Sequence, residues 1–355
     1  MKILISGICG FTGSVLSRTL LEDDSTVEII GLDNFSRAGS YLNRKPLADL
    51  GIKVIHADVR QPSDLDSLAA VDWIIDAAAN PSVLAGADGL SSSRQLMENN
   101  LYGSINLLEY ARKSSAGFIL ISTSRVYSIE ALEQIPLAVK NNAFTLDTQK
   151  PLTQGLSENG IDESFSTAPP ISLYGSSKLC SEALAFEYGQ TFDLPVWINR
   201  CGVLAGAGQF GKPDQGIFTF WINAYLRRQP LKYIGFGGGG HQVRDCLHPR
   251  DLLHVLKAQI AKRDNKECAI YNLSGGVDNS ISLYQLSQWC ADRFGPHQLQ
   301  AVSRTRAFDV PWLILDSSLA RKTFGWQPST TLNDIFTEIA DHAEKHPDWL
   351  EVSLQ

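Results

Sequence analysis

Tyr174 and Lys178 stand four residues apart in the run Tyr174-Gly175-Ser176-Ser177-Lys178. On a helix, that spacing places a phenol and an ammonium on one face. A nearby cation lowers the pKa of a phenol, so the pair can take a proton from a hydroxyl while hydrogen leaves the same carbon. Tyr41 and Lys45 share the spacing and read as a surface pair. Position separates the two pairs, because Tyr174 follows the fifth apolar run of the chain and opens a helical one. That fifth run ends Ile121-Ser122-Thr123-Ser124-Arg125-Val126-Tyr127. A hydroxyl at the C-terminal end of such a strand points into the crevice where α/β proteins bind ligands, where it can hydrogen-bond a reacting oxygen. By composition Ser122, Thr123 and Ser124 all qualify.

A second chemical signature opens the chain. Gly7-Ile8-Cys9-Gly10-Phe11-Thr12-Gly13 follows an apolar run and precedes a helical stretch from Ser14 to Leu21. Glycines at this junction permit a tight turn and close backbone approach to a pyrophosphate, and the helix start offers unpaired N–H groups to the phosphates. The spacing is GxxGxxG and departs from the GxGxxG fingerprint. Asp33 ends the second run twenty residues after Gly13, where an acid binding the adenosine ribose is expected. A carboxylate there accepts from a 2′-hydroxyl and repels a 2′-phosphate, which favours NAD over NADP; Arg37 close by is the residue that could favour the phosphate instead. Asp58, ending the third run, is placed to meet the adenine amino group, or is a plain strand-end carboxylate. Ala77, Ala78 and Ala79, after the fourth, suit a wall lying close to a cofactor.

The elements that must position these residues are legible as an alternation. Lys2–Ser6, Val27–Leu32, Lys53–His56, Trp73–Asp76, Phe118–Ser122 and Val196–Arg200 are short, Ile- and Val-rich, and separated by helical stretches. That pattern predicts βαβ units and a Rossmann-type, doubly wound parallel sheet in an α/β protein. After about residue 205 it breaks into glycine-rich turns around the aromatic segment Phe218–Tyr225, followed by helical segments Ser282–Phe294 and Thr331–Lys345. The expected division is a dinucleotide domain over 1–204 with a return segment near 247–262, and a smaller α/β C-terminal substrate lobe from 205–246 and 263–355. Residues 129–170 form a long polar insertion without clear period, the kind of segment that is usually functional or mobile.

Composition bounds the rest. The 355 residues exceed one small core, and 44% hydrophobic with 19% charged is ordinary for a globular chain. A net charge of −7 argues against nucleic acid as partner and leaves any anionic substrate to particular arginines and lysines. The six cysteines form no CxxC pair, so reduced thiols and no metal site are expected. No apolar stretch reaches the ~18 residues of a membrane span, and no leader precedes the first strand, so a cytoplasmic protein without a membrane partner is expected.

Together, the GxxGxxG turn, Asp33, a hydroxyl ahead of Val126-Tyr127, and the Tyr-x-x-x-Lys pair resemble the extended short-chain dehydrogenase/reductases that act on nucleotide sugars. The resemblance covers nearly the whole chain, to Phe324-Gly325-Trp326-Gln327-Pro328. It implies Thr123 as the catalytic hydroxyl, Tyr174 as the base, and Lys178 as its helper and a ligand of the nicotinamide ribose. It adds Phe11, Thr12, Asn34 and Ser36 to the cofactor set, together with Val59, Asn100 and Arg200. For the substrate it implies contacts from Thr123, Ser124, Arg125, Gln215 and Gly216, and from Gln242, Arg244 and Arg306. Arg244 is the expected grip on a diphosphate, its planar fork matching phosphate oxygens. Asp309-Val310-Pro311 departs from the family, which often places an arginine there; Arg304 or Arg306 is the expected substitute.

Within the family, four stretches are nearest to the branch that inverts C2 of a CDP-linked dideoxyhexose: Asp33–Arg37, Gly160–Ser164, Asp214–Gly216 and Gln242–Asp245. Thr123 and the long insertion share that likeness. The insertion, with Asp162 and Glu163, is expected to close over the sugar ring. A 4,6-dehydratase would need two acids directly after the hydroxyl, where Ser124 and Arg125 stand. A 4-epimerase stays open, and a non-catalytic NAD-binding regulator would be expected to lack the Tyr or the Lys. The helical stretches Arg94–Arg112 and Ser176–Phe192 correspond to the family's dimerisation helices, implying a homodimer or homotetramer.

Overall fold

The structure, a computed structural model, describes residues 1–87, 89, 92–263, 267–304 and 306–354. Its first half is a βα succession: β1 (Lys2–Ser6), α1 (Phe11–Asp23), β2 (Glu28–Asp33), β3 (Lys53–His56), β4 (Trp73–Asp76), α2 (Gly103–Ser114), β5 (Gly117–Thr123), α3 (Ser172–Phe192) and β6 (Val196–Cys201). The second half contributes α4 (Ile217–Leu226), β7 (Leu231–Ile234), β8 (Val243–Leu247), α5 (Leu253–Ala261), β9 (Cys268–Leu273), β10 (Ser280–Ser282), α6 (Leu283–Phe294), β11 (Leu299–Val302), β12 (Trp312–Leu313) and α7 (Leu332–Lys345). Seven parallel strands run in the order β9-β6-β5-β4-β1-β2-β3. The strand order reverses between β1 and β4, so the crevice for ligands lies beyond their C-terminal ends. The near-continuous apolar strands follow from burial on both faces. Ile3, Ile5 and Trp197 belong to one core, and Leu4, Ile74 and Leu120 to the other.

The return segment is longer than the sequence suggested. Strand β9, beyond residue 262, pairs with β6 along six residues of the central sheet, and Ala320 and Trp326 pack into the same core as β1. In the smaller lobe β8 pairs with Val203–Leu204, β10 and β12, while β7 pairs with β11. The aromatic segment is a helix, α4, whose Phe218, Trp221, Ile222 and Tyr225 are buried against α6 and α7.

The insertion is built rather than loose. It holds a short helix (Ile129–Glu133), a hairpin (Leu137–Lys140 with Ala143–Leu146) and a small bridge pair (Leu156–Ser157 with Gly160–Ile161). Its scattered apolar residues Leu132, Ile135, Leu156, Ile161 and Phe165 close a core with Val243, Trp312 and Leu315. Ile161 also donates to Ile314 O at 2.9 Å and accepts from Asp316 N at 2.8 Å. The segment caps the back of the small lobe.

The helical stretch at Arg94–Arg112 is interrupted. Ser93–Met97 passes through a π-helical turn, Glu98–Tyr102, into α2. Such turns re-aim side chains, and here two consecutive asparagines fall on the turn.

Candidate active site

One cavity of about 1010 Å³ lies across the C-terminal ends of β1, β2, β4 and β5 and continues under the small lobe. Its dinucleotide half starts at Gly7. With φ +63°, Gly7 sits where a Cβ would meet Ala78 Cα at 2.9 Å; at Gly13 a Cβ would lie 2.4 Å from Gly7 O. Helix α1 therefore begins against bare backbone. No side chain caps its first turn and no acid stands in it, so its free N–H groups and positive dipole end are available to an anion. Ser6 supports the opposite wall: its hydroxyl donates to Asp76 Oδ1 at 2.7 Å and accepts from Ala77 N and Ala78 N at 3.1 and 3.0 Å.

Asp33 lines this half, held by the N–H groups of Cys9 and Phe35, both at 2.8 Å. Burial raises its pKa while those donors oppose the rise. With about four acceptor sites, the carboxylate keeps a lone pair for a ribose. Arg37 also lines the cavity, but its guanidinium donates to Gln215 Oε1 at 2.9 Å and to Phe210 O. So engaged, it is not poised for a 2′-phosphate. Asp58 is gripped by Arg60 at 2.6 Å and accepts from Asn34 at 3.2 Å; the Arg60 contact brings its pKa down to about 2. Phe11, Thr12, Gly10, Ser36, Val59 and Ala79 line the same half. The cradle, the uncapped helix and the acid at β2 fit NAD.

At the centre Thr123, Tyr174 and Lys178 come together on the cavity. Tyr174 opens α3, with its ring among Ala85 and Leu96. Burial pushes its pKa up to about 12; a hydrogen bond from Thr123 and the charge of Arg125 act the other way. Lys178 is buried, one turn along. Burial lowers its pKa, and the carboxylates of Asp76 and Glu182 counter that. Gly175 permits the approach of α3 to β5, since a Cβ there would meet Arg125 O at 2.3 Å.

In the substrate half, Ser124, Arg125, Gln215, Gly216, Gln242, Arg244 and Arg306 all line the cavity. Arg244 donates to Asp309 at 2.8 Å and to Val310 O at 2.7 Å; Arg306 donates to Pro213 O at 2.9 Å. The segment that departs from the family pattern thus supplies an acid to Arg244.

Three expectations are corrected. Arg200 does not line the cavity: it is buried behind it, donating to Glu182 at 2.7 Å and to the Tyr127 hydroxyl at 3.3 Å. A buried guanidinium requires such a partner, and Glu182 also accepts from Ser122 at 2.5 Å, which removes Ser122 as a candidate for the reacting hydroxyl. Asn100 does not line it either; its amide donates to Asn80 O and Ser177 Oγ, both at 3.1 Å, and accepts from Asn80 N at 2.8 Å. It props the loop after β4 against α3, and its neighbour on the π turn, Asn99, is the one that lines the cavity. No residue of the insertion lines it: Glu163 accepts from Asn272 N at 2.6 Å and Asp162 from Ser164 N at 2.7 Å. Among the lining residues not foreseen are Ser82, Lys212 and Asp309. Only Asp309 carried a signal in the sequence, as the departure noted above.

Fold and site together define an extended short-chain dehydrogenase/reductase with an NAD cradle. The chain belongs to the NAD dependent epimerase/dehydratase family, whose sequence profile matches residues 3–274, and NAD is its cofactor. It is 28% identical to the CDP-paratose 2-epimerase of Salmonella typhi over 94% of this chain and 96% of that one. It is 26% identical to a dTDP-glucose 4,6-dehydratase of Streptomyces niveus, covering 99% and 95%. Among solved structures, UDP-glucose 4-epimerase from Bifidobacterium longum, in complex with NAD+ and UDP, superposes with a TM-score of 0.78 at 21% identity, covering 98% and 100%.

Proposed function

We propose that this protein is a nucleotide-sugar epimerase that inverts C2 of CDP-paratose to give CDP-tyvelose, with Thr123, Tyr174 and Lys178 as its catalytic residues. The observation that carries the reading is the meeting of these three side chains on one cavity with the NAD cradle, followed by Ser124 and Arg125 rather than by acids. Elimination of water needs a general acid and base beside the hydroxyl, and neither residue supplies one. The choice of C2 and of a CDP-linked dideoxyhexose rests on the likeness to the Salmonella typhi enzyme along nearly both chains.

Bound NAD supplies a reversible two-electron oxidation of the sugar carbon that faces it. The protein's own groups do the remainder. Gly7, Gly13 and the start of α1 hold the pyrophosphate, and Asp33 the adenosine ribose. Tyr174 as phenolate takes the proton of the substrate hydroxyl, and Thr123 orients that hydroxyl and hydrogen-bonds the oxygen as it becomes a carbonyl. Lys178 holds the nicotinamide ribose and keeps a cation beside the phenol. Arg244 and Arg306 take the diphosphate, with Arg244 exchanging Asp309 for phosphate oxygens. The keto sugar then rotates on that fixed diphosphate, and Tyr174 returns the proton after the opposite face is reduced. Pairing of two copies through α2 and α3 completes the proposal.

The test is a substrate deuterated at C2. Retention of the label in the epimerised product, with no solvent deuterium incorporated, is the expected result. Exchange with solvent indicates deprotonation next to a carbonyl, and inversion at C4 with C2 untouched assigns a 4-epimerase.

A further inference from the structure

Residues 209–216 lead into α4 and, Gly211 apart, all line the cavity. The segment is rooted in the small lobe. Gln209 is buried and donates to Leu204 O, and it accepts from the Thr219 hydroxyl, both at 2.8 Å. Lys212 and Gln215 exchange backbone hydrogen bonds at 2.6 and 3.1 Å, which closes the tip into a tight turn.

That tip is fastened to groups far away in the chain. Asp214 accepts from the Ser82 hydroxyl. Gln215 Oε1 accepts from Arg37 at 2.9 Å, and Arg37 donates again to Phe210 O. Ser82 follows β4 and Arg37 follows β2, while β1 lies between those two strands in the parallel sheet. The Gly7–Gly13 turn follows β1 at the same end. A segment pinned on one side to Ser82 and on the other to Arg37 therefore crosses the turn that opens α1.

Both anchors are themselves held. Ser82 accepts from Leu84 N at 3.2 Å and donates its own N–H to Asn80, the residue that Asn100 props. On the other side Phe210 is braced from outside by the C-terminal helix Trp349–Leu354. Its ring stacks on Trp349 with centroids 5.0 Å apart, and Trp349 donates to Gln209 O at 2.9 Å. Gly39 fits against the far side, where a Cβ would lie 2.5 Å from the Phe210 ring and 2.8 Å from Val352. The roots are thus buried, whereas Lys212, Asp214 and Gln215 are half-buried and Pro213 is exposed. Hydrogen bonds between such groups can be re-made with water, so the tip can lift while its roots stay in place.

We propose that residues 210–215 are a strap that closes over the pyrophosphate of bound NAD, latched by Ser82–Asp214 and Arg37–Gln215, and that NAD enters and leaves only when the latch opens. The inference rests on the reading of Gly7–Gly13 as the pyrophosphate cradle and is independent of which sugar reacts. Such a strap suits a reaction that returns the hydride it takes, since the cofactor then has no need to exchange between turnovers.

The experiment measures NAD exchange in both directions without sugar. Release is followed by mixing the protein as purified with excess isotopically labelled NAD and weighing the nucleotide it retains over time. Association is followed by tryptophan fluorescence after NAD is added to the stripped protein. Each latch involves one charged group, so Ser82→Ala and Gln215→Ala should each speed release about tenfold or more, and the double variant should exceed either. Association should quicken as well, because a closed strap bars both directions. Gly13→Ala, which damages the cradle and leaves the latch, should speed release without speeding association. Unchanged release in the latch variants overturns the strap. Faster release with association unmoved also overturns it, since that outcome assigns the residues to the hold on NAD itself. Either single variant decides if the other does not fold. Full retention of NAD in Gly13→Ala would refute the cradle reading instead, so the two failures are distinguishable.

Discussion

Gly13→Ala is a direct test of the cradle. Gly13 is the third residue of α1, and an added Cβ would lie 2.4 Å from Gly7 O and 2.8 Å from Ile8 Cα. Ordinary contact begins at 3.4 Å, so backbone must move by about 1 Å, and neither obstacle is a side chain that can swing aside. The part that moves is the turn or the start of α1, whose N–H groups are proposed to hold the pyrophosphate. Losing two hydrogen bonds to a charged group costs about 3–6 kcal/mol, or roughly 10²–10⁴ in affinity. Alanine gains about 1 kcal/mol in helix propensity over glycine, which acts on the fold and not on the ligand. The expected result is a folded protein that purifies with little NAD and rebinds it weakly. The measurement is the nucleotide released on denaturation per protein chain, followed by titration of the stripped protein. Gly51→Ala is the control: its φ is +84° and nothing lies within 4 Å of an added Cβ, so it should strain the chain locally and leave NAD in place. Full retention and unchanged affinity in Gly13→Ala would refute the cradle.

Glu182→Ala should destabilise the fold by about 3–5 kcal/mol, because it strands the Arg200 guanidinium with only the Tyr127 hydroxyl. Denaturant unfolding checks this, and replacing both residues by methionine should cost less than the single change. Tyr174→Phe should fold, keep its NAD and lose roughly 10²–10⁴ in turnover, whereas Tyr41→Phe at the exposed pair should leave turnover unchanged.

Local chemistry determined much of this protein. The six runs seen in the sequence are strands within about a residue at each end; the inner ones announce themselves because a strand buried on both faces is largely apolar, while the edge strand β3 is half-exposed. Gly7, Gly13 and Asp33 were legible for the same local reason: the turn, the helix start and the strand end that place them are contiguous in the chain. Tyr174 and Lys178 were legible because four residues on a helix is already a spatial relation.

What only the tertiary structure decided is which charges meet across distance. Arg200 looked available to the cofactor until β6 and α3 packed together and gave its guanidinium to Glu182. Arg244 and Asp309, 65 residues apart, become a pair only when β8 and the segment before β12 lie side by side. The insertion had no readable period because its apolar residues are spaced to fill gaps behind the small lobe, not to form one stripe of a long element. The π turn at Glu98–Tyr102, which turns Asn100 to its props and leaves Asn99 on the cavity, arises where the helix must serve both α3 and the loop after β4. Backbone form follows from neighbours in sequence; the pairing of buried charge follows from neighbours in space, since a charge removed from water must find a partner wherever the fold has put one.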